Sequence, residues 1–192
     1  MSHHRMLTED LKDIRNRAQQ LASGLTPEQL SLRPDPAKWS IVECLAHLNM
    51  TAAIVQPKIA AAIEQGKREK SAASGAFSPG PLGRLLIWIA EPPPKFRMRA
   101  PKNIAPAVNH GDTSQVLSDF MKFQDGWERL DRDVQGLDQR KLKIASPFRG
   151  LPRLRLAVPI PWMMAHQRRH LLQAENVKRQ IISAASASAR TA

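Results

Sequence analysis

Four stretches of this chain place an apolar residue at every third or fourth position, and no stretch sustains the apolar–polar alternation of a half-buried strand. The stripes are Leu7, Leu11, Ile14, Ala18, Leu21, Leu25; then Ile41, Leu45, Leu48, Ala52, Val55; then Val116, Phe120, Phe123, Trp127, Leu130. A last stripe runs through Trp162, Met163, Val177 and Ile181. Each is one apolar face of a helix, and it is covered most economically by the other three. The pattern therefore predicts an all-α chain, a bundle of four long antiparallel helices. At 192 residues with 42% apolar content, one domain with a substantial core is expected, spanning 1–192 with its core over about 7–182.

Punctuation marks where the helices stop. Thr8, followed by acids, reads as an N-terminal cap, and Gly24 is placed to end the first helix. Pro27 suits the first turn of a short helix in "TPEQLS", and "RPDPAKWS" is a connector whose prolines forbid helix. Ser40 with Glu43 three residues on is the capping-box pattern, opening the second long helix. Pro57 is expected to kink or divide that helix, and Gly66 to end it. Residues 67–112 form a long basic, proline-rich insertion between the second and third long helices. Only "PLGRLLIWIAE" within it reads as a short apolar helix, and the insertion is expected to be less protected from hydrogen exchange than the long helices. Gly136 closes the third long helix, the last runs from about Trp162 to Ile182, and 183–192 is expected to be a disordered tail.

The charge is uneven. Lys and Arg total 29 against 17 Asp and Glu, a net +12 that attracts phosphates, nucleic acids or anionic surfaces. The excess gathers in "RLLIWIAEPPPKFRMRAPK", residues 84–102, and in the acid-free "KLKIASPFRGLPRLRL", residues 141–156. Neither has aromatic residues spaced for stacking on bases, so nucleic acid is not the favoured partner. The apolar "LLIWIA" would need covering, which points to a homodimer. No apolar run is long enough to span a bilayer and the start lacks a signal-peptide core, so a cytoplasmic protein is expected. The single cysteine, Cys44, excludes an internal disulfide and a multi-cysteine zinc site.

Chemistry concentrates in the histidines. His166 and His170 sit four apart in "WMMAHQRRHLLQ", a spacing that leaves two helical side chains about 6 Å apart along the axis and about 40° apart around it. They share a sector with Trp162, Met163, Gln173, Val177 and Ile181, while Arg168, Glu175 and Arg179 lie opposite, so the pair faces inward. Two buried imidazoles need hydrogen-bond partners or a metal ion. Two histidines rarely complete a metal site, and His47, at the border of the second stripe, is the candidate third ligand. His3, His4 and His110 are poorer choices, in a terminus and a turn-rich "NHGD". The alternative stays open at this point. A lone interior histidine is more often a hydrogen-bonded core residue, and an HxxxH pair alone fits either reading.

"KWSIVECLAHL" followed over a hundred residues later by "WMMAHQRRHLLQ" resembles the DinB/YfiT-like superfamily, in helix order, from about residue 7 to 182. The resemblance implies a four-helix bundle holding a divalent metal, commonly zinc or nickel, on three histidines, which map onto His47, His166 and His170. The long insertion departs from the compact pattern of that family, so no family substrate carries over.

Three histidines leave a divalent metal open positions for water or substrate, the catalytic rather than the structural arrangement. Such a centre suits a metal-dependent hydrolase, or a thiol transferase acting on a small thiol or thiol conjugate. Glu43, one turn before His47, is a candidate to hydrogen-bond and orient a metal-binding histidine, although the helix cap already accounts for it. Gln173 can bond a ligand water or cross-link helices, and Cys44 reads as a small buried apolar residue. The competing class is a non-catalytic bundle that contacts nucleic acid or another anionic partner through its basic insertion.

Overall fold

The computed structural model describes residues 3–73, 78–95, 104–106, 112–146 and 152–191, with side chains over 7–187 within those ranges. Four long helices carry the stripes: α1 (His3–Ala22), α3 (Ile41–Arg68), α5 (Thr113–Asp133) and α6 (Pro159–Thr191). Two shorter ones, α2 (Pro27–Ser31) and α4 (Gly80–Ala90), join them, with a two-residue antiparallel ladder of β1 (Lys143–Ile144) and β2 (Leu154–Arg155). α3 packs on α5 and α6, α1 on α6 and α5, and α4 lies along α6. The all-helical bundle expected from periodicity is the fold, and the ladder is too short to leave a period-2 signal in sequence.

The stripes face one another as their spacing requires. Ile14, Ala18, Ile41, Ile59, Trp127, Met163, Met164 and Leu171 are essentially sealed from solvent, and Phe123 is the one stripe residue of α5 only partly covered. Ser40 with Glu43 forms the reciprocal box expected from sequence; Thr26 with Gln29 forms a second, and Asp112 caps α5 by accepting from Ser114 N at 2.8 Å. Gly24 and Gly136 take φ of +74° and +78° just past α1 and α5, the left-handed backbone that ends a helix cheaply only with glycine.

Several expectations are corrected. α1 begins at His3, so Thr8 lies inside it rather than capping it. Pro57 does not divide α3, which runs unbroken through it; one backbone donor is lost while α5 and α6 hold both halves in place. Gly66 does not end α3. It lies inside the last turns because a Cβ there would stand 2.5 Å from Leu142 Cδ1. The helix ends instead at Arg68 with Glu69 as its cap, and the φ of +50° at Lys70 just beyond lets Ser71 N return to Gly66 O at 2.9 Å. α6 starts three residues early, at Pro159, with both of its prolines in the first turn, where no intrahelical N–H is needed. The tail expected to be disordered continues α6 to Thr191, because its alanines are strong helix formers even when exposed.

The face of α6 read as solvent-directed is in fact clamped. Arg168 pairs with Asp10 at 2.8 Å and with Glu91 at the end of α4, and Glu175 accepts from Arg17 Nε of α1 at 2.7 Å. On α4, Leu82, Leu85 and Trp88 are about half exposed, with Lys95 Nζ 5.5 Å from the Trp88 ring centre. No helix among the described residues is long and apolar enough to cross a membrane.

Cys44 is fully buried on α3, and burial together with the neighbouring Glu43 carboxylate pushes its thiol well above the ordinary range. The native protein should therefore leave a thiol-reactive disulfide reagent unconsumed, while the denatured chain takes up one equivalent. Rapid native labelling would show that this core opens locally.

Candidate metal centre

α3 enters the bundle through the Ser40 cap, which fixes where its first turns lie and so where His47 projects. α6 brings His166 and His170 to the same place from the opposite side. One ring nitrogen from each of the three histidines falls within 4.8 Å of the others. His47 Nε2 and His166 Nε2 stand 3.3 Å apart, and the His166–His170 and His47–His170 ring centres are both 4.6 Å apart. The expected cluster therefore forms across two helices. His110 lies outside the described residues, and of His3 and His4 only the helical backbone is described.

Hydrogen bonds orient two of the rings. The Ile104 carbonyl accepts from His47 Nδ1 at 2.7 Å. A carbonyl can only accept, so the neutral ring carries its proton on Nδ1 and turns the Nε2 lone pair toward the other histidines. The Gln173 side-chain oxygen accepts from His170 Nδ1 at 3.1 Å, orienting that ring in the same sense. His166 has no such clamp, and its Nδ1 is buried without a hydrogen-bond partner. Two tryptophans wall the cluster. Trp162 stacks on His166 at 4.9 Å, and Trp39 lies 5.0 Å from His47 and 5.7 Å from His170.

All three imidazoles are held neutral. Burial lowers His47, outweighing the Ile104 carbonyl, which raises it. Burial first, then His170, His47 and Arg169, hold His166 well below its ordinary value. His170 is pushed down to about 3 by burial and by His47. Neutral imidazoles, two of them with Nδ1 bonded outward, are the donor chemistry of borderline divalent ions such as zinc and nickel. The 3.3 Å between the His47 and His166 nitrogens is close to the edge of about 3.3 Å of a tetrahedron with bonds of about 2.0–2.1 Å. The residues present fit a divalent metal.

Glu43 does not join them. Its carboxylate accepts from Ser40 N at 2.7 Å and from Arg33 Nε at 2.8 Å, and Arg33 Nη2 approaches closer still. Among the described residues no carboxylate hydrogen-bonds any of the three imidazoles, so the ring-orienting contacts offered to Glu43 are made instead by the Ile104 carbonyl and the Gln173 side chain. Ile104 could not be read from sequence because any residue offers a main-chain carbonyl. Trp39 and Trp162 did leave a sequence trace: one stands just before the Ser40 cap, the other one turn before His166 and in its sector.

The DinB superfamily sequence pattern matches residues 10–174. No curated protein matches the chain. Among solved structures, the chain is similar to YfiT from Bacillus subtilis, described as a probable metal-dependent hydrolase with an unusual four-helix bundle topology. The similarity has a TM-score of 0.58 at 14% identity and covers 94% of this chain and 90% of that one.

Proposed function

The chain belongs to the DinB superfamily, and from that premise we propose that it is a metal-dependent hydrolase of a small molecule, its divalent zinc or nickel held by His47, His166 and His170. The observation that carries this reading is the convergence of three neutral imidazoles from two helices, two of them locked with a lone pair facing inward. A metal bound there supplies Lewis-acid polarisation of a carbonyl and a water pKa lowered to about 7.

The chain's own residues do the rest. Ile104 and Gln173 fix the tautomers and ring planes of His47 and His170, so these ligands need no reorganisation on loading. Trp39 and Trp162 exclude water from the imidazole faces and offer flat walls for orienting an acyl group. Glu43 is engaged by its cap and by Arg33, and among the described residues no carboxylate hydrogen-bonds the three histidines to act as a general base through them.

The test is turnover by metal-stripped protein reloaded with zinc or nickel, on a panel of esters and amides, with and without an added thiol. Hydrolysis that follows metal occupancy and disappears in His166→Ala supports the reading. Turnover that requires the thiol moves the same centre to thiol transfer. Rates unchanged by stripping, or retained in His166→Ala, overturn both.

A further inference from the structure

The acid-free stretch 141–156 plays no part in the histidine centre, yet the fold gives it a defined place. Lys141, Lys143 and Arg153 come together with Lys70 around a cleft of ≈ 580 Å³, floored by Leu142 and with Glu69 as the acid among its lining residues. His47 and Gln65, the latter also at the cleft, are separated by eighteen residues of α3, about 27 Å of helix, so cleft and histidine centre lie near opposite ends of it.

The cleft is built from main-chain bonds rather than from loose side chains. Past α3, Asp138 N donates to Ser71 O at 2.8 Å and Ala73 N to Gly136 O at 2.9 Å, tying this segment to the turn after α5. The β1–β2 ladder is extended by Leu156 N donating to Leu142 O at 2.9 Å, and Leu142 seats against Gly66, where there is no room for a Cβ. The shape of the cleft is set before any ligand arrives.

Three features at the cleft and beside it are unfavourable by themselves. Lys70 occupies left-handed backbone, where a glycine would be less strained. Lys143 is paired directly opposite Arg155 in the ladder, and like charges so placed repel. Among the described residues no carboxylate pairs with Lys70, Lys143, Arg153 or Arg155. Glu69 accepts from Gln65 Nε2 at 2.7 Å, and Lys141 reaches only to Asp138 at 3.8 Å. A bound anion would relieve the repulsion and give the strained lysine a use.

We propose that this cleft is a binding site for a small phosphate-bearing molecule carrying two or more negative charges. Its volume lies in the range of about 300–1,000 Å³ usual for small-ligand pockets. Among the described residues no aromatic side chain lines it, so the walls described offer charge for phosphate groups and no stacking surface for a base.

The test titrates pyrophosphate, inorganic phosphate and duplex DNA into the metal-loaded protein at physiological ionic strength, by calorimetry. Two charge-matched triple variants are compared: Lys141→Gln/Lys143→Gln/Arg153→Gln in the cleft, and Lys12→Gln/Lys38→Gln/Lys122→Gln on exposed positions elsewhere. The cleft triple should bind pyrophosphate about tenfold more weakly and the control triple within about twofold, since three modest exposed contacts together amount to about one decade. Metal content of both should stay that of the parent, which shows the fold intact. Lys70→Gly should melt at a higher temperature yet bind pyrophosphate more weakly, a divergence that a purely structural lysine would not give. Equal weakening in both triples reduces the effect to the overall field of the protein and overturns the site. So does a failure to bind pyrophosphate, and so does salt-steep binding of duplex DNA in its place.

Discussion

The His166→Ala protein is expected to bind zinc at least about 100-fold more weakly than the parent, because replacing even groups that only hydrogen-bond a metal ligand costs about 10–100-fold. Removing His166 takes away the ring whose Nε2 sits 3.3 Å from that of His47 and leaves two donors from different helices. His47→Ala and His170→Ala should behave alike, and His110→Ala should keep full occupancy. Helical content should hold in all of them, since the sealed core is made of apolar side chains that replacing one imidazole leaves in place. Thermal melting gives an independent reading. At free zinc of about 1,000 times the parent's Kd the parent gains about 4.1 kcal/mol, or about 8–16 °C for a chain of this size, and a variant about 100-fold weaker gains no more than about 1.4 kcal/mol, or about 3–6 °C. Full metal occupancy in purified His166→Ala would remove the three-histidine assignment.

What was legible in the sequence follows from what leaves a periodic or local trace. The four stripes fixed helix number and facing, and the i, i+4 pair of His166 and His170 already pointed inward at Met163 and Val177. The Ser40–Glu43 box was legible because both partners lie within one turn. Helix ends were less so. Gly66 looked like a terminator because nothing in a sequence distinguishes a glycine needed for left-handed backbone from one needed for the close approach of Leu142. Arg168 and Glu175 looked solvated because their partners Asp10, Glu91 and Arg17 are distant in sequence. The clamp on His47 comes from a main-chain carbonyl within the insertion, a contact that no residue identity encodes. The basic stretch 141–156 announced charge, and its concentration around a cleft depends on register and on a turn that only the fold supplies.

Glu43 separates structure from chemistry most sharply, and its replacement should cost stability without costing metal. Its carboxylate is 1% exposed, closes the Ser40 box and receives Arg33, which also donates to Pro36 O at 3.2 Å. Loss of the cap costs about 1 kcal/mol. Breaking the pair adds about 2 kcal/mol, less than the 3–5 of a fully buried pair, because the Arg33 side chain is 26% exposed and water can take up its charge. Glu43→Ala should therefore lose about 3 kcal/mol, lowering the melting temperature by about 6–12 °C. Arg33→Met should lose the pair contribution alone. Glu43→Gln should lose least, because glutamine can still close the box. The double variant Arg33→Met/Glu43→Gln should cost less than the sum of its parts, since the second change removes a charge that the first left buried and unpaired. Zinc affinity, measured well below each melting temperature, should stay within about twofold of the parent in all four, because the His47 proton goes to Ile104 and not to Glu43. If zinc binding in Glu43→Gln fell as far as in His166→Ala, the carboxylate would have to be counted in the metal centre and the cap would be its secondary role.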